Sequence, residues 1–305
     1  MQHYDIIIIG GGTAGMTAAI YARRAGKSVL LLEGETLGGQ ISASPRVENY
    51  PGIPSISGMD FSDRLFAQVT DLGADFELDT VTEILDEGAV KTVTTSYGKY
   101  TASAVIAAVG LRHRLMGIAH EEDLIGQGIS FCAVCDGAFF RDADVAVYGG
   151  GNTALQEAIF LSDICRSVAL IHRRNEFRAD RVLVDRVREK QNIRLYTENT
   201  VTALDAGEPL SGITLTSTVD GSEQHLAVTG LFVAIGQLPR TEVLRGVVAL
   251  DEWGFVAAGE DCKTDRPGIF AAGDCRQKAV RQLATAAGDG AVAATAACEY
   301  LDSKN

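Results

Sequence analysis

The sequence predicts an α/β fold built on two strand–turn–helix–strand units, and three observations carry that prediction. Two glycine-rich turns, Gly10 to Gly15 and Gly149 to Ala154, each follow a run rich in β-branched and apolar residues and each open a helical stretch. Each helix leads into a second short apolar strand, so one plan is repeated within the chain. The 305 residues, 33 of them Gly and 46% hydrophobic, suit about two domains with many tight strand-to-helix turns.

Taken in order, Tyr4 to Ile9 reads as a buried strand, Met16 to Ala25 as a helix ended by Gly26, and Ser28 to Leu32 as a strand closed by Glu33. Asp60 to Ala74 is expected to be helical, Phe76 onward to form short strands with turns at Gly88 and Gly98, and Val105 to Val109 to form a buried strand ending at Gly110. The second unit has a strand at Asp144 to Tyr148, a helix at Leu155 to Ser162, and a strand at Val168 to Ile171 closed by His172–Arg173–Arg174. Alternating β segments follow, then the apolar runs Gly230 to Gly236 and Gly268 to Asp274, and a small-residue helix from Gln282 to Tyr300. No low-complexity linker separates the units.

A formal net charge of −13 argues against nucleic acid, whose phosphates require a basic footprint. The apolar run Ile6 to Ile9 is far too short to span a bilayer and has no basic flank or cleavage site, so no membrane association and a cytoplasmic location are expected. Of six cysteines, Cys165, Cys262, Cys275 and Cys298 are scattered and read as core residues, with Cys275 next to Asp274. Trp253, the single tryptophan, is expected to pack near a turn.

The glycine turns have the G-x-G-x-x-G logic of Rossmann-like nucleotide sites. Gly10 makes the turn, Gly12 lets backbone approach a pyrophosphate, and Gly15 allows close helix packing, with Thr13 and Ala14 between them at the helix start. Gly149, Gly151, Asn152, Thr153 and Ala154 repeat the arrangement. What closes the second strand selects the nucleotide. Glu33 suits the ribose diol of FAD or NAD and repels a 2′-phosphate, whereas His172, Arg173, Arg174 and Arg178 suit a 2′-phosphate. An ordinary solvated basic run is the plain alternative for the latter, in a chain that is otherwise acidic. A diol site and a phosphate site together suggest a flavoprotein that takes hydride from NADPH.

Cys132–Ala133–Val134–Cys135 is a C-x-x-C, either half a zinc site or a redox dithiol. The five histidines (3, 113, 120, 172 and 225) supply no second ligand pair, which favours the redox reading and no metal. Such a spacing closes into a disulfide when the second Cys lies in the first turn of a helix, where a thiolate is also stabilised. Asp136 is placed either to shuttle protons or to cap a turn.

At these residues the chain resembles the low-molecular-weight bacterial thioredoxin reductases, over essentially its whole length. The motifs that carry the resemblance are Gly10 to Gly15, Gly38–Gly39–Gln40, Val47 to Gly52, Cys132 to Gly137, Gly149 to Ala154, His172–Arg173–Arg174 with Arg178–Ala179, Gly230 to Gly236, and Ala271 to Asp274 with Arg281–Gln282. The resemblance implies two Rossmann-like dinucleotide-binding domains: a discontinuous FAD domain, residues 1–114 and 244–305, and an inserted NADPH domain, residues 115–243, carrying the dithiol. It implies a homodimer and electron flow from NADPH through FAD and the Cys132–Cys135 disulfide to thioredoxin or a related small dithiol protein. Cys132 would attack the partner, Cys135 would face the flavin and resolve, and Asp136 would move the proton. Flavin contacts are implied for Gly34, Gly39, Gln40, Ile41, Asn49, Val109, Gly110, Asp274, Arg281 and Gln282. Departures from the family pattern are Val134 between the cysteines, Val109 where a hydroxyl is common, and Arg240 after Pro239.

Nicotinamide and disulfide compete for one flavin face in this scheme, so a domain rotation is expected, hinged near Leu115–Gly117 and Gln237–Thr241. Rival readings are an NADPH reductase of a glutaredoxin-like protein or peroxiredoxin, a ferredoxin–NADP reductase of similar fold, which would lack the C-x-x-C, and a non-catalytic flavin redox sensor.

Overall fold

The β-branched run Ile6 to Ile9 forms the middle of a mostly parallel sheet in the computed structural model, which describes residues 1–205, 207 and 209–304. The chain separates into two compact units, Met1–Arg112 with Leu238–Asn305, and His113–Gln237. The sequence reading places the junctions at 114/115 and 243/244, and Asn305, the end of the expected FAD domain, lies outside the described residues.

The first unit begins with β1 (His3–Ile9), α1 (Thr13–Arg24) and β2 (Val29–Glu33). It continues with α2 (Gly58–Asp71), β3 (Asp75–Leu78), β4 (Val81–Glu87), β5 (Val90–Thr95) and β6 (Lys99–Ala107). The chain leaves the unit at β7 (Leu111–His113). In the second unit come β8 (Ile129–Ser130), α3 (Ala133–Asp136), β9 (Asp144–Tyr148), α4 (Asn152–Ser162), β10 (Ser167–His172) and α5 (Arg181–Glu189). Then follow β11 (Ile193–Thr197), β12 (Asn199–Leu204), β13 (Ile213–Ser217), β14 (Glu223–Leu226) and β15 (Gly230–Val233). The chain returns at β16 (Gln237–Pro239), and β17 (Ile269–Ala271) and α6 (Leu283–Asp302) complete the first unit.

The main sheet of the first unit runs β3-β2-β1-β6-β5-β4, with β17 paired to the second half of β6. β1, β2, β3, β6 and β17 are parallel, and β4 and β5 are antiparallel. Both faces of β1 are covered, which is why its apolar residues do not alternate with polar ones. Ile6 and Ile8 join the cluster under α1 and α6, and Ile7 and Ile9 join the opposite one. α1 and α6 pack closely because both present Gly and Ala: a Cβ on Gly290 would lie 2.3 Å from Ala14 O.

The second unit has a fully parallel sheet, β11-β10-β9-β15-β8, and a separate antiparallel sheet, β12-β13-β14. Among the described residues no helix is long and apolar enough to cross a membrane.

Several expected boundaries shift for physical reasons. α1 and α4 start at Thr13 and Asn152, earlier than Met16 and Leu155, because the small residues of each turn already occupy the first helical turn. α2 spans Gly58–Asp71, its start fixed by the Ser57 hydroxyl, which accepts the Asp60 N–H at 3.0 Å. The strand expected at Val105 to Val109 begins at Lys99, paired first with β5, and ends at Ala107, before the turn at Gly110. Trp253 does not pack: Asp251 gathers the Trp253 and Phe255 N–H groups into a turn and leaves the indole 69% exposed. Cys165, Cys262, Cys275 and Cys298 are free and buried, in line with a core role.

Candidate active site

The first glycine turn sits where β1 ends. Gly10 has φ +108°, and a Cβ there would lie 2.2 Å from Ala108 O, so only glycine lets β1 run this close to the end of β6. Gly15 is held as tightly, since its Cβ would meet Gly10 O at 1.8 Å. Gly12 is different: its nearest neighbour would be Gly38 O at 3.7 Å, so this stretch of backbone is open to a ligand. Thr13 and Ala14 open α1 directly behind it.

Glu33, at the end of β2, is buried and accepts the Gly11 N–H at 2.7 Å through Oε2 and the Glu35 N–H at 2.8 Å through Oε1. Each oxygen keeps a further lone pair for a ribose hydroxyl. Gly34 follows it against Thr80. The ends of β6 and β17 lie in register at Ala107 and Ala271, which brings Val109, Gly110 and Asp274 to the same carboxyl edge of the sheet as Gly10. Asp274 Oδ1 is buried without a partner, and burial raises its pKa while Lys278 and Arg281 oppose the rise. A buried acceptor left unsatisfied fits a donor on a bound group.

Around this edge, the Gln40 side chain donates to Leu111 O, and Gly39 and Ile41 lie in the same short helical turn. Asn49 donates to Gln282 Oε1 at 3.1 Å, at the start of α6. The Arg281 guanidinium lies 4.3 Å over the Phe255 ring and donates to Asp274 O at 3.3 Å. The open Gly12 backbone, the spare lone pairs of Glu33 and the orphan oxygen of Asp274 fit one dinucleotide laid across the strand ends.

The second turn obeys the same rules. A Cβ on Gly149 would meet Ala234 O at 2.4 Å, and one on Gly150 would meet His172 Nδ1 at 2.1 Å, whereas Gly151 has open space. Asn152, Thr153 and Ala154 form the first turn of α4. The loop after β10 is clipped onto this turn: Arg178 N–H donates to Gly150 O at 2.7 Å, Asp180 N–H to Asn152 Oδ1 at 2.8 Å, and Asn152 Nδ2 to Asp180 Oδ2 at 3.0 Å. The clip pairs Arg178 with Gly151, and Arg173, Arg174 and Arg178 of this loop are all exposed. His172 is buried beneath the turn and stacks on Phe177. Burial lowers its pKa, aided by repulsion from the three arginines and opposed by its bond to Glu176 O. The cationic surface of the loop is therefore made by the guanidinium groups.

Cys132 and Cys135 form a disulfide with Cα atoms 5.3 Å apart. Cys132 caps α3, and its sulfur accepts the Cys135 N–H at 3.2 Å. α3 is a single turn, so the donor near sulfur is this specific amide rather than a long helix dipole. Val134, between the two cysteines, is 59% exposed, which leaves the turn accessible to a partner. Asp136 accepts the Ser130 hydroxyl at 2.6 Å, and the same Ser130 oxygen accepts the Cys132 N–H at 3.1 Å. Burial raises the pKa of Asp136, and Ser130 partly offsets this.

Ser130 and Glu157 escaped the sequence reading. Glu157 Oε1 accepts the Ala133 N–H at 3.4 Å, so it reaches the redox turn from α4. The available signal was an acid within the apolar helix that follows the second glycine turn. Among the described residues no cluster of three His, Cys, Asp or Glu side chains is placed to hold a metal ion.

The family model for pyridine nucleotide-disulphide oxidoreductases matches residues 4–290. Curated relatives include the thioredoxin reductase of Listeria innocua, 42% identical over 98% of this chain and 94% of its own length. That of Mycolicibacterium smegmatis is 44% identical over 98% and 96%. Among solved structures, the thioredoxin reductase of Streptococcus pyogenes superposes with a TM-score of 0.95 at 37% identity, over 99% of both chains. With both glycine turns and the redox disulfide in place, the chain belongs to the thioredoxin reductases of the pyridine nucleotide-disulphide oxidoreductase family.

Proposed function

We propose that the glycine turns, the arginine loop and the Cys132–Cys135 disulfide act in series to reduce the disulfide of thioredoxin. The observation that carries this reading is the accessible disulfide turn, with the Ser130–Asp136 pair beside it, in the same unit as the arginine-bearing nucleotide turn. Like its family, the chain is an FAD-binding, NADPH-dependent oxidoreductase. FAD, when bound, supplies the relay between a two-electron hydride donor and a disulfide.

The residues of the first unit hold that group. Gly10, Gly12, Thr13, Ala14 and Gly15 present backbone to its pyrophosphate. Glu33 and Gly34 take the ribose, and Asp274 accepts from the ribityl region. Gly39, Gln40, Ile41, Asn49, Val109, Gly110, Arg281 and Gln282 line the remainder. In the second unit, Gly149, Gly151, Asn152, Thr153 and Ala154 hold the NADPH pyrophosphate. Arg173, Arg174 and Arg178 take its 2′-phosphate, with His172 packed below them.

Once the disulfide is reduced, the Cys132 thiolate attacks one sulfur of the partner's disulfide and forms a mixed disulfide. Cys135 then attacks Cys132 Sγ, restores the Cys132–Cys135 bond and releases the reduced partner. Asp136 holds the proton exchanged with the departing sulfur, its pKa already raised by burial. A homodimer in the cytoplasm completes the reading. Its support is the family resemblance and the four buried cysteines left unpaired, as in a reducing compartment.

The test is NADPH oxidation by the flavin-loaded protein with thioredoxin, a glutaredoxin-like protein or a peroxiredoxin as acceptor, with light scattering for the oligomeric state. The highest kcat/KM is expected with thioredoxin. A higher value with another acceptor would reassign the partner.

A further inference from the structure

Glu157 is an acid in an apolar place. Its helix neighbours Ala154, Leu155, Ala158 and Ile159 are buried, and its Oε2 is buried with no hydrogen-bond partner. Its other oxygen accepts the N–H of Ala133, the fully buried residue that directly follows Cys132. One side chain on α4 is thus tied to the backbone between the two sulfurs, and it carries an oxygen that pays for ionisation with no compensating bond.

We propose that Glu157 is a positioning residue of the redox disulfide, holding the Ala133 amide and taking up one proton when the disulfide opens. The proposal rests on the functional reading above. In the established reaction two electrons originating from NADPH break the S–S bond. One sulfur takes a proton and becomes a thiol, the other remains a thiolate, and Glu157 takes a second proton from solvent. The disulfide with ionised Glu157 carries one negative charge. The thiol, the thiolate and protonated Glu157 together also carry one, so no charge accumulates in a poorly solvated place. Cys132 Sγ, which already accepts the Cys135 N–H, has a donor for the thiolate.

Burial pushes the Glu157 carboxyl up to about 7, opposed by the Ala133 amide. The titratable groups on the elements packed against α4 contribute nothing to that rise. These are Asp136 on α3, Asp144 and Tyr148 on β9, His172 on β10, Arg194 and Tyr196 on β11, and Arg181, Asp185, Arg186, Arg188 and Glu189 on α5. Several are engaged elsewhere: Asp136 by Ser130, Asp144 by Arg166, His172 by Glu176 O.

The experiment compares the full-length flavin-loaded wild type with Glu157→Gln. Each is reduced by NADPH, and alkylation of the dithiol by iodoacetamide is followed across the pH range around 7. The wild type is expected to show an inflection above 7, raised by the neighbouring thiolate, that the variant lacks. Above it the variant should alkylate about 3- to 10-fold faster, because the competing carboxylate charge is gone. Superimposable profiles would overturn the proposal. If the variant fails to fold, the reduced-minus-oxidised infrared spectrum of the wild type and of Asp136→Asn decides. A protonated carboxyl gained on reduction in both supports Glu157, and its absence overturns the role. Thioredoxin turnover of the wild type is measured alongside: its absence would sink the parent reading, whereas superimposable profiles with turnover intact sink only this one.

Discussion

The Ser130 hydroxyl donates to Asp136 Oδ2 at 2.6 Å while accepting the Cys132 N–H at 3.1 Å, so one hydroxyl ties the Asp136 carboxyl to the first cysteine of the disulfide. Burial raises the Asp136 pKa and this bond lowers it. Ser130→Ala removes that lowering influence together with the acceptor of the Cys132 N–H. With Asp136 in its proposed proton-holding role, the high-pH limb of thioredoxin-dependent turnover is then expected to move to higher pH. Asp136→Asn is expected to lower that turnover about 10²- to 10⁴-fold with dye reduction little changed. A pH–rate profile of the three proteins checks both effects.

Glu157 also makes a stability prediction. Its pKa is 4.5 in the unfolded chain and about 7 in the folded protein, so the protonated group favours the fold. That contribution is full below 4.5 and is lost as pH rises through about 7. Glu157→Gln, which cannot ionise, is expected to be more stable than the wild type above pH 7, by roughly 3 kcal/mol at most. The difference should vanish in acid. Denaturant unfolding at a series of pH values reads it.

Among the described residues Arg276 is the largest fully buried side chain, and Asp289 on α6 receives it through two hydrogen bonds of 2.8 Å. Asp289 also accepts Lys278 and the Gly273 N–H, both at 2.9 Å, so it fixes the turn that carries Asp274. Asp289→Ala leaves buried Lys278 without its anion and Arg276 with only the exposed Glu260, and is expected to cost about 3–5 kcal/mol. The same variant is expected to release FAD more readily, read as a rise in flavin fluorescence on mild heating.

The clipped loop after β10 gives a specificity prediction. On the proposed assignment, replacing Arg178 or Arg174 with Ala removes a charged contact of about 1.5–3 kcal/mol to the 2′-phosphate. NADPH kcat/KM is expected to fall about 10- to 100-fold while NADH kcat/KM changes little. Equal losses with both nucleotides would assign these arginines a structural role.

Much of this was legible because the chemistry is local. Glycine spacing, the acid closing β2, the arginines closing β10 and the C-x-x-C are all read within a few residues. The two glycine turns announced themselves because sterics allow nothing else at Gly10, Gly15 and Gly149. The helix starts are hidden in the sequence because Thr13 to Gly15 look like turn residues, yet their small size is what lets α1 begin against the sheet. The exposure of Trp253 is not legible in the sequence because it depends on Asp251 gathering the Trp253 and Phe255 N–H groups into a turn. Glu157, Ser130 and Asp289 were invisible because each acts on a residue brought near only by folding, 24, 6 and 13 positions away respectively.

The central claim is that the Cys132–Cys135 disulfide is the outlet for electrons from NADPH. The deciding measurement is NADPH oxidation by flavin-loaded wild type and Cys135→Ser, each with thioredoxin and with a dye that accepts electrons from flavin. Dye reduction is expected in both proteins, and thioredoxin reduction in the wild type alone. Thioredoxin-dependent turnover that survives in Cys135→Ser would contradict the account and place the outlet elsewhere.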